Sequence, residues 1–279
     1  MAAGQPLSRL ALAAVSGADD VGYVALADLS QIMGENVADC RVIGGHTITV
    51  LAARWQLGPG LYRETGDVDL GIPPVAVRDH HLVDRLKAGG YDQVEGNRFA
   101  RTVTDMPVKV AGGHTAHQRA IIDVLVPAYT SRPRQNVKVS ENLVSTEVPG
   151  LAGALARPPV IMSLELRRLN GAMLQATLPF AGEVSALVLK SLATRVRSKG
   201  TDIADIWRCL EIAFAAGSTP SDFTGGARPA AAAIVRALFA RRQGPTMTTL
   251  ATEQRLSNQA ADQRFTRIRA LSTRVLGPG

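Results

Sequence analysis

Two carboxylates two positions apart, in the string Asp67-Val68-Asp69, constrain the fold of this chain more than any other feature. The string opens a short apolar segment that two prolines close, which predicts a strand over residues 67–72. Alternate side chains of a strand point to one face, so the two carboxylates lie together. Neighbouring carboxylates repel each other and favour a shared divalent cation. We therefore expect a sheet that presents Asp67 and Asp69 as metal ligands.

A glycine pair, Gly44-Gly45, separates an apolar segment ending at Ile43 from a segment with helical periodicity. This order predicts a strand, a tight turn and a helix. Glycines at such a turn let a phosphate approach the backbone, and the N–H groups that open the helix attract it. Glycine pairs are common in turns, but one that accompanies a two-carboxylate metal site predicts chemistry on a nucleoside triphosphate.

A third acid, Asp123, is the only charge in the apolar run from Ile121 to Val126. An unpaired carboxylate inside such a strand costs several kcal/mol, so a partner or a metal ion is expected beside it. Strict alternation turns Asp123 away from the side chains of Ile122 and Val124. If this strand lies beside the strand of Asp67, three acids meet at one edge of the sheet.

The second half of the chain contributes a lone lysine and two acids to predicted helices. Lys190 is the only charge in an apolar helical segment, and Asp202 and Asp205 lie near the start of the next predicted helix. A lysine in this position either extends its ammonium group to the surface or neutralises a bound phosphate.

The order of the predicted elements indicates an α+β fold. We expect a mixed sheet with flanking helices over residues 1–180 and an all-helical domain over residues 181–279. The predicted helices cover residues 7–15, 23–33, 46–56, 76–88, 183–197, 201–216, 227–242, 246–256 and 258–275. The predicted strands cover residues 39–43, 67–72, 91–94, 98–103, 119–127, 160–164 and 174–178. Residues 130–138 are predicted to form a loop, and Thr201 is the predicted N-cap of its helix.

Composition excludes several protein classes. No apolar run reaches the roughly 18–20 residues of a membrane span, and the N-terminus lacks the pattern of a signal peptide, so we expect a cytoplasmic protein. Two cysteines are too few for a disulfide framework. Acidic and basic residues balance over residues 1–140, so the whole net charge of +7 falls on residues 141–279. This asymmetry suggests a polyanionic partner.

Basic residues of the second half are predicted to contact phosphates, with an ordinary solvated surface as the alternative. These residues are Arg167, Arg168, Arg195, Arg197, Lys199, Arg236, Arg241, Arg242, Arg264, Arg267 and Arg274. The pair His114 and His117 has the spacing of metal ligands but no companion acid or cysteine cluster, so a structural role is expected.

Together these motifs resemble the nucleotidyltransferase superfamily of the polymerase-β type, and more narrowly the AbiEii/MenT toxin-like nucleotidyltransferases of bacteria. The family pattern is Gly-Gly or Gly-Ser, then Arg-x-Ser/Thr-x-Asp-x-Asp, a helix-borne Lys and a Lys-x-x-Asp-x-x-Asp segment. This chain carries, in order, Gly44-Gly45, Arg63-Glu64-Thr65-Gly66-Asp67-Val68-Asp69, Lys190 and Lys199-Gly200-Thr201-Asp202-Ile203-Ala204-Asp205. The resemblance spans residues 40–210. His46-Thr47 follow the glycines where many members have Ser or Thr-Ala.

The resemblance implies a role for each matched residue. The implied catalytic residues are Asp67, Asp69, Asp123, Lys190 and Asp205. The implied nucleotide-binding residues are Gly44, Gly45, Arg63 and Thr65. In this scheme Asp67 and Asp69 hold one or two Mg²⁺ ions, and either Asp123 or Asp205 orients or deprotonates the incoming hydroxyl.

The resemblance also implies substrates and partners. The donor is an NTP, with CTP or GTP favoured, and the acceptor is the 3′ end of a tRNA, whose modification blocks aminoacylation. A cognate antitoxin is an expected partner, and a membrane is not. Two alternatives stay open: transfer to a small molecule or a protein hydroxyl, and an inactive nucleotide-binding module. The basic second half weighs against a small neutral acceptor, and the intact acid pair weighs against an inactive module.

Overall fold

The structure, a computed structural model, describes residues 8–109, 115–130, 132–197 and 199–278. It has the predicted α+β fold, in which strands and helices alternate before a run of helices. The strands are β1 (Ser8–Ala13), β2 (Arg41–Ile43), β3 (Asp67–Gly71), β4 (Asp92–Gln93), β5 (Arg98–Lys109), β6 (Thr115–Pro127), β7 (Val137–Ser140), β8 (Leu143–Val148), β9 (Val160–Arg167) and β10 (Met173–Phe180). The α-helices are α1 (Gly17–Met33), α2 (Gly44–Arg54), α3 (Pro74–Asp79), α4 (Leu82–Ala88), α5 (Leu151–Leu155), α6 (Glu183–Ala193), α7 (Gly200–Ala215), α8 (Arg228–Leu238), α9 (Pro245–Glu253) and α10 (Asn258–Leu276).

One mixed sheet organises the first part of the chain. Its strand order is β1-β9-β10-β2-β3-β6-β5-β4, and β8 pairs with both β6 and β7. β3 lies near the centre, antiparallel to β2 and parallel to β6. The short strand β2 passes directly into α2, so the glycine turn lies beside the central strands of the sheet.

Helix α2 contributes to two hydrophobic cores. Val50 and Ala53 pack with α1 and the sheet. Ile48 and Leu51 pack instead with the helices of the second half. The position of the glycine turn is therefore set by contacts on both sides of α2, and the division of the chain into domains at residue 180 stays a prediction.

The prediction of a helix over residues 7–15 is wrong, because β1 occupies most of this segment as a strand parallel to β9. Its alanine and leucine content favours a helix. Leu10 and Leu12, however, alternate with the exposed residues Arg9, Ala11 and Ala13, as expected of an edge strand with one covered face. Pairing with the sheet overrides the local helix propensity.

Other boundaries also differ from the predictions. The predicted helix 76–88 is two helices, because His81 adopts a left-handed backbone conformation with φ 48° and interrupts the chain of hydrogen bonds. Lys199, not Thr201, occupies the N-cap position of α7. The described residues of the loop predicted over 130–138 are irregular up to residue 136, and β7 begins at Val137. Both β7 and β8 lie outside the predicted strands. No helix in the described ranges has both the length and the hydropathy needed to cross a membrane.

Candidate active site

Three acids converge where β3 and β6 run side by side. The parallel register places Asp69 opposite Asp123, and alternation places Asp67 on the same face as Asp69. Each of the three offers an oxygen, and these oxygens all lie within 4.8 Å of one another. Asp123 is buried and the other two acids are partly buried. The predicted meeting of three carboxylates is confirmed, and the cluster can hold a metal ion.

The environment of the cluster raises the pKa of Asp69, mainly because this carboxyl is removed from water. Burial, together with the neighbouring charges of Asp67 and Asp123, raises the pKa of Asp69 to about 7. The cations Lys190 and Arg63 lower the same pKa, which places them within electrostatic reach of the cluster. A carboxylate with so high a pKa gains free energy from a divalent cation placed beside it.

The glycine turn lies in close contact with the acid cluster. Gly44 has φ +73°, and a Cβ at this position would lie 1.9 Å from the Oδ2 of Asp69. A Cβ on Gly45 would lie 2.6 Å from the Nη1 of Arg63 and 2.9 Å from the Cβ of Thr65. No side chain caps the helix that starts here. The N-terminus of α2, whose first N–H groups have no partner within the helix, thus lies beside the carboxylates.

Two threonine hydroxyl groups fix the segment of residues 63–67 that ends in Asp67. Thr65 is buried and its hydroxyl donates to the Oδ1 of Asp67 over 3.0 Å. Thr49, on α2, accepts from the N–H of Arg63 over 2.9 Å and donates to the carbonyl of the same residue over 3.1 Å. The predicted nucleotide-binding residues Arg63 and Thr65 therefore lie beside the acid cluster, and Thr65 fixes the carboxylate of Asp67.

Lys190 and Asp205 form the centre of a buried ion network. The Nζ of Lys190 lies 2.8 Å from the Oδ2 of Asp205 and 3.5 Å from the Oδ1 of Asp202. The contact of Lys190 with Asp205 is an ion pair without hydrogen-bond geometry, because no described group donates a hydrogen bond to the Oδ2 of Asp205. Asp205 also pairs with Arg208 at 3.0 Å and with Arg63 at 3.4 Å. Three cations therefore hold Asp205, and it lies outside the acid cluster.

Asp123 has an arginine partner that the sequence analysis missed. Arg98 stands opposite Asp123 in the β5–β6 register, and its guanidinium makes two hydrogen bonds to the carboxylate, of 2.9 Å and 2.8 Å. These hydrogen bonds raise the pKa of Arg98, as does the nearby Asp67. Arg98 therefore fixes the orientation of the third acid in the cluster.

The sequence carries only weak signals for the missed residues. Arg98 is the first residue of the predicted strand 98–103, but its pairing depends on a strand register that no local rule supplies. Thr49 is a hydroxyl residue in an otherwise apolar stretch of α2, and this polarity is its one recognisable signal. His114 lies outside the described residues, and His117 is exposed on β6.

Many of the basic residues predicted to contact phosphates are engaged within the protein. Arg168 is buried and pairs with Asp20 and Asp105. Arg267 pairs with Glu211, and Arg264 lies 3.5 Å over the ring of Trp207. Arg236 donates to the carbonyl of Leu276, and Arg242 pairs with Asp262. The exposed residues Arg195, Lys199 and Arg241 are better placed to meet a partner.

No protein-family model matches the chain, and no curated protein matches it in sequence. Among solved structures, the chain is similar to the crystal structure of an antigenic nucleotidyltransferase-like protein from Paracoccidioides brasiliensis. The identity is 18%, the TM-score is 0.40, and the match covers 78% of this chain and 88% of the other. A similarity of this size does not establish an activity, so the interpretation of the site depends on its own geometry.

Proposed function

We propose that this chain is a metal-dependent nucleotidyltransferase that transfers an NMP group from an NTP to the 3′ end of a tRNA. The observation that carries this proposal is the convergence of Asp67, Asp69 and Asp123 beside the N-terminus of α2. A triphosphate bound in a protein needs cations on one side and N–H donors on another. The two requirements meet at this point of the sheet.

The acid cluster fits a divalent cation such as Mg²⁺. All of its donors are carboxylate oxygens, the ligands that hard cations prefer, and they lie close enough to share one ion. Asp67 and Asp69 would hold it, because both project from the same face of β3. When bound, the cation supplies Lewis-acid stabilisation of charge on the attacked phosphate and on the departing pyrophosphate.

The chain's own cations and N–H groups orient the triphosphate. Phosphate oxygens accept hydrogen bonds from the first turn of α2, which Gly44 and Gly45 open. Lys190 and Arg63 add positive charge near the acids, where phosphate charge accumulates during transfer. Asp205 holds both of these cations in place, so we assign it a positioning role.

The acceptor hydroxyl reacts beside Asp123. Its oxygen forms a bond to the α-phosphorus, and the bond from that phosphorus to the oxygen bridging to the β-phosphorus breaks. Pyrophosphate leaves with that oxygen, and Asp123 accepts the proton of the hydroxyl. We favour Asp123 over Asp205 for this role because Asp123 belongs to the acid cluster, and Arg98 holds its carboxylate in a fixed orientation.

The choice of acceptor follows from charge and from the resemblance. The whole net charge of +7 falls on residues 141–279, which suits a polyanionic acceptor better than a small neutral one. By the same resemblance we propose CTP or GTP as donor, a toxin role through blocked aminoacylation, and neutralisation by a cognate antitoxin.

Labelled nucleotides test the proposal directly. The protein is incubated with each of the four α-³²P NTPs, Mg²⁺ and total tRNA, beside the variants Asp67→Asn and Asp92→Asn. Asp92 is an exposed acid on β4, outside the acid cluster, and serves as the matched control. We expect label on tRNA with the wild type and the control but not with Asp67→Asn. Label on protein or on a small molecule would show that tRNA is not the acceptor. Nucleotide that binds without being transferred would contradict the enzymatic role.

A further inference from the structure

Cavities join into one groove between α8, α9 and the segment that follows α6. One cavity of about 170 Å³ and another of about 620 Å³ share Thr194, Leu238, Pro245 and Thr246 among their lining residues. A third, of about 730 Å³, meets the second at Gly244 and Pro245. We refer to the first two cavities as the α6–α9 groove.

The α6–α9 groove is lined by cations. Arg197 and Lys199 border the smaller cavity, and Arg195 and Arg241 border the larger one. Among the described residues that line these two cavities, none is acidic and none is aromatic. Arg195, Lys199 and Arg241 are exposed and make no ion pair with any residue in the described ranges. Their charges are thus available to a partner.

A short chain of contacts connects the α6–α9 groove to the active site. Arg197 makes a two-point contact with Asp202, with distances of 2.8 Å and 3.1 Å. Asp202 also faces Lys190, whose ammonium lies near Asp69. The pKa of Arg197 is raised, mainly by the hydrogen bonds of Arg197 to Asp202 and to a smaller extent by the charge of Asp69. Arg197, which borders the small cavity, is therefore linked to the acid cluster through Asp202 and Lys190.

We propose that the α6–α9 groove binds the 3′ segment of the RNA acceptor through its backbone phosphates and leads it to the acid cluster. This inference rests on the proposed function. Arginine and lysine side chains favour phosphate oxygens, and without aromatic rings the groove offers no platform for stacked bases. Binding is therefore salt-dependent and largely independent of base sequence. An acidic segment of a protein partner is the competing occupant.

Charge reversal in the full-length protein tests the groove. We would measure the Kd of fluorescein-labelled total tRNA by anisotropy between 50 and 200 mM KCl for Arg195→Glu and Arg241→Glu. Each variant should weaken binding about tenfold at 150 mM KCl and reduce the slope of log K against log[KCl] by about one. The matched control is Arg269→Glu, which reverses an exposed arginine of α10 outside the groove. Equal melting temperatures would establish that all variants are folded.

The possible results separate the groove from the proposed function. Equal losses in the groove variants and in Arg269→Glu would overturn the groove, because binding would then follow net charge alone. Unchanged tRNA binding with lost binding of a poly-glutamate peptide would also overturn it, in favour of a protein partner. If the groove variants bind normally while Asp67→Asn stops transfer to tRNA, the groove fails and the function stands. If no RNA is labelled but the groove variants lose RNA binding, the groove is supported as an RNA-binding site and the proposed transfer to tRNA is rejected.

Discussion

Gly44 and Asp69 approach each other so closely that a single methyl group on Gly44 would fall 1.9 Å from the Asp69 Oδ2. The backbone at Gly44 has φ +73°, a region that L side chains rarely adopt. The glycine is therefore required twice, by its own conformation and by the carboxylate against it. This contact joins the N-terminus of α2 to the predicted metal site in one rigid unit.

Gly44→Ala is expected to damage both folding and metal binding. The added methyl group must displace either the α2 turn or Asp69, and we expect a loss of about 3 kcal/mol in unfolding free energy. Mn²⁺ binding, followed by electron paramagnetic resonance, should weaken as well. Gly153→Ala is the control, because a Cβ there meets nothing within 4 Å. A Gly44→Ala protein with the stability and the Mn²⁺ affinity of Gly153→Ala would contradict this reading.

The raised pKa of Asp69 predicts an unusual dependence of stability on pH. The pKa is about 7 in the folded protein and 3.8 in a model carboxyl, so the folded state binds this proton more tightly than the unfolded chain. The contribution of Asp69 to stability is then greatest below pH 4 and is lost as the pH rises to about 7. The full loss is on the order of 4 kcal/mol.

Urea unfolding at pH 5 and pH 8 in EDTA measures this effect. Asp69→Asn should flatten the pH dependence and be more stable than the wild type at pH 8, because one of the repelling charges is gone. Mg²⁺ should restore stability at pH 8 in the wild type only, since the ion replaces the proton. Identical pH profiles for wild type and Asp69→Asn would disprove the electrostatic account.

Lys190→Met should cost more stability than its single charge suggests. The ammonium is buried between Asp202 and Asp205, and its removal leaves two buried carboxylates with fewer counter-charges. We expect a loss of about 3 kcal/mol in the free energy of unfolding, measured in urea. Lys199→Met, at an exposed site, should change it by less than about 0.5 kcal/mol. Equal effects of the two substitutions would show that the ion network contributes no stability.

The acid cluster was predictable because its signals are local. Two acids at i and i+2 must share a face, and a lone acid in an apolar strand needs a partner. The one non-local condition was that β3 and β6 be neighbours, and the fold meets it with Asp69 opposite Asp123. The alternation of strands and helices also indicated the α+β class correctly.

The ion pairs were not predictable, because each depends on a relation between distant elements. The pairing of Arg98 with Asp123 requires the β5–β6 register, and that of Arg168 with Asp20 joins residues 148 positions apart. The charge distribution in the sequence predicts that Arg168 contacts phosphates, whereas in the structure Arg168 is buried in an internal ion pair. The prediction of a helix over residues 7–15 failed for a similar reason, since the pairing of β1 with β9 outweighs the helix propensity of the alanines in β1.

Arg98→Met should separate turnover from cation binding. The substitution removes the group that orients Asp123 but leaves all three carboxylates in place, so transfer should slow roughly 10- to 100-fold while Mn²⁺ binds at least as tightly. Arg101→Met is a close control: Arg101 lies on the same strand, has 32% side-chain exposure against 36% for Arg98, and pairs with Asp28 away from the cluster. Its kcat should match the wild type. The opposite split, weaker Mn²⁺ binding with normal kcat in Arg98→Met, would assign Arg98 to metal-site assembly and remove its role in orienting Asp123 for proton transfer.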